Sequence, residues 1–184
     1  MKNTDFNELV KRAYENARAK GFHDVEHEDG HYLMLVVCEL AEAVEADRAD
    51  RRADRKEFER LAGTCEDIIW PHLFEMYIKD TVEDELADAV IRLFDYMGMK
   101  DDGSERRFGA SVKQDVEEVK GACKKAFPER VFDIVSMLCF DGLVEYTACD
   151  IFELAEECGI DLLWHIDQKM KYNEVRPMMH GKKY

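Results

Sequence analysis

Proline, basic charge and long apolar runs are all scarce in this 184-residue chain. It has three prolines, at positions 71, 128 and 177, so few positions oblige a helix to end or kink. Alternation of apolar and polar residues, the pattern of half-buried strands, is almost absent. No apolar run reaches the length of a membrane span, and none follows the N-terminal segment Met-Lys-Asn-Thr-Asp-Phe. Neither a transmembrane helix nor a signal peptide is therefore expected.

The deficit of basic residues restricts the partners. Acidic residues outnumber basic ones by 41 to 26, which gives a net charge of -15 at pH 7. So negative a chain is expected to bind neither a nucleic-acid polymer nor an anionic membrane. The six cysteines include no CxxC pair, and most lie in apolar runs, as is typical of free thiols in a reducing compartment. We therefore expect a cytoplasmic protein.

Helical periodicity recurs along the chain and predicts an all-α helical bundle, organised as a single domain over residues 1–184. Gly159 is expected to kink or split the last of the four main helices. Residues 105–148 predict further helices, one of which has Val112, Val116, Val119 and Ala122 as its apolar stripe. The four main helices are predicted from Thr4 or Asp5 to about Lys20, from His31 to Asp47, from Thr81 to Met97 and from Asp150 to Tyr172.

Two acidic clusters on two of these helices are the features that carry chemistry. The first is Glu39-Leu-Ala-Glu42-Ala-Val-Glu45 and the second is Glu83-Asp84-Glu85-Leu-Ala-Asp88. A spacing of three residues puts two carboxylates on one side of a helix. Two such helices packed face to face would gather four carboxylates, which only cations make tolerable, and oxygen ligands favour Mg²⁺ or Mn²⁺. Glu39, Glu42, Glu85 and Asp88 are the predicted ligands, with Glu45 as an additional candidate.

A basic segment near the C-terminus is the second candidate feature. It contains Lys169, Asn173 and Arg176, of which the first two are four residues apart and share a helix face. Lysine and arginine bind phosphate oxygens, and an asparagine amide adds a hydrogen bond. The same residues would also suit an ordinary basic helix end that complements the helix dipole. The spacing alone leaves both interpretations open.

In combination, these residues resemble the MazG-like, all-α nucleoside triphosphate pyrophosphohydrolases. The ExxE…ExxD pattern is matched by Glu39, Glu42, Glu85 and Asp88, and the trailing KxxxN segment by the run from Lys169 to Asn173. The match covers roughly residues 4–97 and 150–184. Residues 99–149, which are expected to be helical, and part of 48–80 look like insertions relative to the smallest members.

The resemblance implies an enzyme that hydrolyses a (deoxy)nucleoside triphosphate between the α and β phosphates to a monophosphate and pyrophosphate. It implies Mg²⁺, or Mn²⁺ in its place, bound by the four carboxylates, which are also the catalytic residues. Lys169, Asn173 and Arg176 would contact the triphosphate. It further implies a homodimer or homotetramer, a state that the wide apolar arcs at Leu33–Val44 and Leu86–Met97 also favour.

Three alternatives stay open at this point. One is a pyrophosphohydrolase of the phosphoribosyl-ATP type. Another is a helical protein that binds a metal–nucleotide complex without turnover, and the third is a structural bundle whose acidic residues are solvated. The base pocket is unassigned, with Phe22 and Tyr32 as the candidates for stacking.

Overall fold

The computed structural model describes residues 5–64, 68–100, 125–139 and 144–181. Within these ranges the chain folds into eight α-helices and one short 3₁₀ turn, without any β-strand. The predicted all-α class is therefore confirmed. In chain order the elements are α1 (Phe6–Ala19), α2 (Asp29–Arg48), α3 (Arg55–Ala62), α4 (Trp70–Tyr77), α5 (Val82–Met99), α6 (Phe127–Leu138), α7 (Val144–Glu157), α8 (Leu162–Val175) and the 3₁₀ turn (Met178–Gly181).

Capping side chains set where several helices begin. The Asp5 carboxylate accepts hydrogen bonds from the backbone N–H groups of Asn7 and Glu8 at the start of α1. The Thr81 hydroxyl accepts one from the N–H of Asp84 at the start of α5. Each cap satisfies a backbone donor that has no partner inside the helix, which stabilises the first turn. The capped first turn of α5 carries Glu83, Asp84 and Glu85 of the second acidic cluster.

The predicted final helix is two helices. α7 ends at Glu157 and α8 begins at Leu162, and Gly159 between them has a φ of +71°. This left-handed conformation suits glycine because it lacks a Cβ. The split at Gly159 is thus confirmed, whereas the predicted start at Asp150 is wrong because α7 already begins at Val144.

α5 lies at the centre of the bundle and packs against α1, α2, α7 and α8. Its apolar side chains are almost fully buried, namely Leu86, Val90, Leu93, Phe94 and Met97. Full burial of such a side chain contributes roughly 1.5–3 kcal/mol, so α5 anchors the fold. Because one chain already covers this face, the face gives no support to the predicted homo-oligomer, which stays a prediction.

A separate aromatic cluster connects α3 and α4 to α8. Phe58 of α3 and Trp70 and Phe74 of α4 are buried around Tyr172 of α8. The rings of Phe74 and Tyr172 stack with their centroids 4.5 Å apart. Phe74 also lies beneath the Lys169 ammonium, which is 5.7 Å from the ring centre. The cluster therefore helps to hold Lys169 against α5.

Part of the predicted insertion lies outside the described residues. This applies to the helix predicted from Val112 to Ala122. The described remainder of residues 99–149 forms α6 and the first part of α7, and α6 packs on α2 and α7. Across the described ranges, no helix combines the length and the apolar character that a bilayer crossing requires.

Candidate functional site

The packing of α2 against α5 brings three predicted ligands together. Glu39 of α2 and Glu85 and Asp88 of α5 each offer a carboxylate oxygen, and these oxygens all lie within 4.8 Å of one another. Glu39 and Glu85 are buried, at 3% and 4% exposure, and Asp88 is partly buried. The three-residue spacing within α5 thus places Glu85 and Asp88 where they meet Glu39. We call Glu39, Glu85 and Asp88 the carboxylate cluster.

The other two predicted acidic residues lie outside this cluster. Glu42 and Glu45 are both exposed on α2, and the Glu45 carboxylate pairs with Arg48 at 2.5 Å. Glu42 is still close enough for its negative charge to contribute to the raised pKa of Glu39. α2 turns Glu39 into the bundle and Glu42 towards solvent, so Glu42 does not join the other carboxylates in this structure. Its role as a ligand stays a prediction.

Lys169 lies inside the site. Its ammonium donates to Asp84 Oδ2 at 2.7 Å and lies 2.8 Å from Asp88 Oδ2. Lys169 is 3% exposed and Asp84 is 1% exposed, so the ion pair is almost completely desolvated. The described polar partners of the Lys169 ammonium are thus carboxylates, and its predicted contact with phosphate remains a prediction. Asp84 was missed as a site residue, although its four-residue spacing from Asp88 put it on the same helix face.

Arg92 is the second cation of the site and was also missed. It lies one turn beyond Asp88 on α5, and its guanidinium donates to Glu39 Oε1 at 2.5 Å. This bond between α5 and α2 fixes Glu39 beside the other carboxylates. The sequence signal was the i, i+4 spacing of Asp88 and Arg92, but the pairing with Glu39 depends on how the helices pack.

The electrostatics of the site are dominated by burial of like charges. Burial, together with Asp88 and Asp84, raises the pKa of Glu85 to about 9. Burial also raises the pKa of Asp84 to about 6, even though Lys169 opposes this, and burial raises that of Glu39. Burial would also raise the pKa of Asp88, but the positive charges of Lys169 and Arg92 outweigh this effect, and the pKa of Asp88 is lowered. Glu85 is therefore the carboxyl that most lacks a compensating cation.

The donor set fits a divalent cation. Fully ionised, Glu39, Asp84, Glu85 and Asp88 exceed the two cations Lys169 and Arg92 by two negative charges, which is the charge of one Mg²⁺. Two of these carboxylates also have oxygens without a protein donor. Asp84 Oδ1 is buried without a hydrogen bond, and no described residue donates to the Glu85 carboxylate. An all-oxygen set of this kind is the chemistry that Mg²⁺ and Mn²⁺ prefer.

A second grouping of carboxylates shares one member with the cluster. Oxygens of Asp80, Asp84 and Glu85 also lie within 4.8 Å of one another. Asp80 is exposed, and its carboxylate is 2.5 Å from the Lys79 ammonium. Because Asp80 is exposed whereas Glu39 and Glu85 are buried, the carboxylate cluster is the better candidate for a cation.

A cavity of about 280 Å³ adjoins the carboxylate cluster. Asp88 belongs to both, and Arg92 also lines the cavity. Of the three residues predicted to contact phosphate, Asn173 of α8 and Arg176 just after it line the cavity, whereas Lys169 does not. Their contact with phosphate stays a prediction. Both stacking candidates, Phe22 and Tyr32, line it as well.

The segment after α8 closes part of this cavity. The backbone N–H of Met179 donates to the carbonyl of Lys20 at the end of α1, and the Lys20 ammonium donates to the carbonyls of Glu174 and Arg176. The His180 ring then packs edge-on against Phe22, with the centroids 5.0 Å apart. Burial, assisted by Arg176, lowers the pKa of His180 to about 4, so this imidazole is neutral near pH 7.

Comparison with known proteins adds no relative to this description. No protein-family model matches the sequence, and neither the curated proteins nor the solved structures give a match. The MazG-like resemblance consequently rests on the residues of the sequence pattern, and the site is interpreted from its own geometry.

Proposed function

We propose that this protein is a Mg²⁺-dependent nucleoside triphosphate pyrophosphohydrolase of the MazG-like type. It would hydrolyse a (deoxy)nucleoside triphosphate between the α and β phosphates, giving a monophosphate and pyrophosphate. The observation that carries the proposal is the junction of the carboxylate cluster with a cavity that Arg92, Asn173 and Arg176 line. Oxygen ligands for a divalent cation and hydrogen-bond donors for phosphate oxygens thus occur side by side.

Each group has a role in this proposal. Glu39, Glu85 and Asp88 would hold Mg²⁺, which when bound neutralises phosphate charge and makes a water molecule more acidic. Arg176 and Asn173 donate to phosphate oxygens from the side of α8. Arg92 keeps Glu39 in place through their direct ion pair.

Lys169 departs from the role that the resemblance implies. Instead of facing the cavity, it neutralises Asp84 and Asp88 from within the bundle. In the proposed enzyme it lowers the repulsion among the buried carboxylates, which keeps Asp88 ionised. Because Lys169 does not line the cavity, it brings no positive charge to a reacting phosphate there. This favours a second candidate, a helical protein that binds a metal–nucleotide complex without turnover.

A substrate panel separates these functions. The protein is incubated with Mg²⁺ and canonical and modified (deoxy)nucleoside triphosphates, and with phosphoribosyl-ATP, and the products are separated by anion-exchange chromatography. Monophosphate with equimolar pyrophosphate supports the proposal, whereas diphosphate with inorganic phosphate, or no product from any nucleotide, contradicts it. Selective cleavage of phosphoribosyl-ATP would identify the alternative enzyme, and nucleotide binding without product would identify the non-catalytic protein.

A matched pair of variants links any activity to the site. Asp88→Asn removes a charge from the carboxylate cluster and should abolish turnover. Asp167→Asn makes the same chemical change at an exposed residue that pairs with Arg12, and it should leave turnover unchanged. Light scattering of the same preparations tests the homodimer or homotetramer that remains part of the proposal.

A further inference from the structure

A histidine–aspartate pair lies at the cavity, away from the carboxylate cluster. Asp95 of α5 lines the cavity, and its Oδ1 is 2.7 Å from Nε2 of His23. Asp95 follows Asp88 by seven residues, so the two are about 10 Å apart along the helix axis. Asp88, Arg92 and Asp95 thus form a row along one wall, with the cluster at one end and Asp95 at the other.

His23 fixes the orientation of the Asp95 carboxylate. The His23 ring stacks on Tyr32, with the centroids 5.9 Å apart, and packs edge-on against Tyr14 at 5.1 Å. The side chains of His23 and Asp95 are only 12% and 17% exposed. With Oδ1 engaged by His23, the other oxygen, Oδ2, receives no hydrogen bond from the described residues. Asp95 Oδ2 is therefore a fixed, partly desolvated hydrogen-bond acceptor in the cavity wall, and no described residue donates to it.

The surroundings of Asp95 indicate the shape of its ligand. Phe22 and Tyr32 supply aromatic surface to the same cavity. A ligand that is planar and carries an N–H donor at its edge would satisfy both the aromatic rings and the open oxygen. A carboxylate that is ionised only accepts hydrogen bonds, so a carbonyl oxygen at the same place would meet a second acceptor.

We propose that Asp95 selects nucleobases that present an amino group, and disfavours their keto counterparts. This inference rests on the proposed function, since it assigns the base end of the same cavity. Asp95 is the specificity-determining residue and His23 is its positioning residue. Cytosine and adenine both carry such an exocyclic amino group. Comparing one pyrimidine pair and one purine pair of nucleotides shows which of the two bases is preferred.

Calorimetric titration with non-hydrolysable α,β-imido analogues in Mg²⁺ tests the proposal without requiring turnover. The pairs are the analogues of dCTP and dUTP and those of dATP and dITP, which differ at the amino or keto position. A hydrogen bond to a charged acceptor, lost in the keto member, corresponds to roughly a ten- to a hundredfold difference in Kd. The wild-type protein should therefore bind the amino member of at least one pair more tightly by about that factor.

Two variants and one matched control assign the preference to this residue. Asp95→Asn keeps the shape and can still accept from His23, but its amide presents a donor as well, so the ratio of Kd values should fall to within about threefold or reverse. Asp167→Asn, the exposed counterpart, should retain the wild-type ratio. His23→Phe leaves the carboxylate without its partner and should reduce the ratio while the affinity for the triphosphate moiety changes little.

The outcomes separate this inference from the proposed function. Equal binding of both members in the wild-type protein, or tighter binding of the keto member, overturns the base selection and leaves the pyrophosphohydrolase proposal intact. An amino preference that survives in Asp95→Asn overturns the assignment to Asp95. If no analogue binds in Mg²⁺, both proposals fail. The wild-type comparison requires no variant, so a poorly folding Asp95→Asn does not prevent the test.

Discussion

Replacing Glu85 with glutamine should stabilise the protein when no divalent cation is available. Glu85 is 4% exposed, and its carboxyl lies close to the negative charges of Asp88 and Asp84. Lys169 neutralises those two carboxylates but does not bond to Glu85. Glutamine has nearly the shape of the protonated side chain and carries no charge, so it avoids the free-energy cost of protonating the carboxyl on folding without opening a cavity.

The magnitude follows from the pKa of this carboxyl. Burial and its acidic neighbours raise the pKa from 4.5 to about 9. In the unfolded chain the carboxyl ionises above pH 4.5, whereas in the fold it stays protonated until the pH approaches 9. Its contribution to stability is thus fully present below pH 4.5 and is lost as the pH rises towards 9. A pH of 7 lies roughly 2.5 units above the unfolded pKa of 4.5. Keeping the carboxyl protonated in the fold costs about 1.4 kcal/mol per unit, or about 3 kcal/mol in total.

Thermal unfolding in EDTA measures this difference. A gain of about 3 kcal/mol corresponds to a rise of roughly 6–12 °C in melting temperature for a chain of this size. The gain should shrink below about 1 kcal/mol at pH 5, since the unfolded carboxyl is then only partly ionised. In excess Mg²⁺ the order should reverse, because only the wild-type protein gains the full free energy of cation binding.

The matched control for this experiment is Glu156→Gln. Glu156 is exposed on α7, so its replacement in EDTA should change the stability by no more than about 0.5 kcal/mol. A Glu85→Gln variant that is less stable than the wild-type protein in EDTA would refute the clustering of uncompensated carboxylates. A gain that does not depend on pH would refute the linkage to ionisation.

Three further outcomes are expected. Exhaustive chelation and Asp88→Asn should each abolish hydrolysis in a product assay while circular dichroism stays unchanged; full activity in EDTA contradicts the proposed metal. Lys169→Ala should lower the unfolding free energy in urea by about 3–5 kcal/mol, because it leaves buried carboxylates unpaired; a loss below about 1 kcal/mol would show that the pair is not important for the fold. Arg176→Ala should raise KM for the nucleotide roughly ten- to a hundredfold without altering Mn²⁺ affinity in a titration, and an unchanged KM would place the phosphates elsewhere.

Local sequence rules account for the helices and for part of the candidate site. Periodicity and caps such as Thr81 predict where α5 begins, and Gly159 marks the break between α7 and α8. The i, i+3 spacing places Glu85 and Asp88 on the side of α5 that meets Glu39. These features depend on residues within one or two helical turns, which is why they are legible in the sequence.

The partners of the buried charges could not be predicted in the same way. Lys169 lies 85 residues from Asp84 along the chain, and Arg92 lies 53 residues from Glu39. Nothing in the local spacing says which cation reaches which carboxylate, because the aromatic packing of Phe74 against α8 decides the position of Lys169. The rotation of α2, which exposes Glu42, likewise depends on how the whole bundle packs.

The distribution of charge links the cavity to the carboxylate cluster. The chain carries a net charge of -15, and a triphosphate adds further negative charge. Among the described residues that line the cavity, Arg92 and Arg176 are opposed by Asp88 and Asp95, so the wall itself offers no excess of positive charge. An anion would therefore be attracted only after a divalent cation had offset the carboxylates. The carboxylate cluster would repel a bare nucleotide, but with a divalent cation bound it would allow a cation–nucleotide complex to bind. Chelation should therefore remove nucleotide binding as well as turnover.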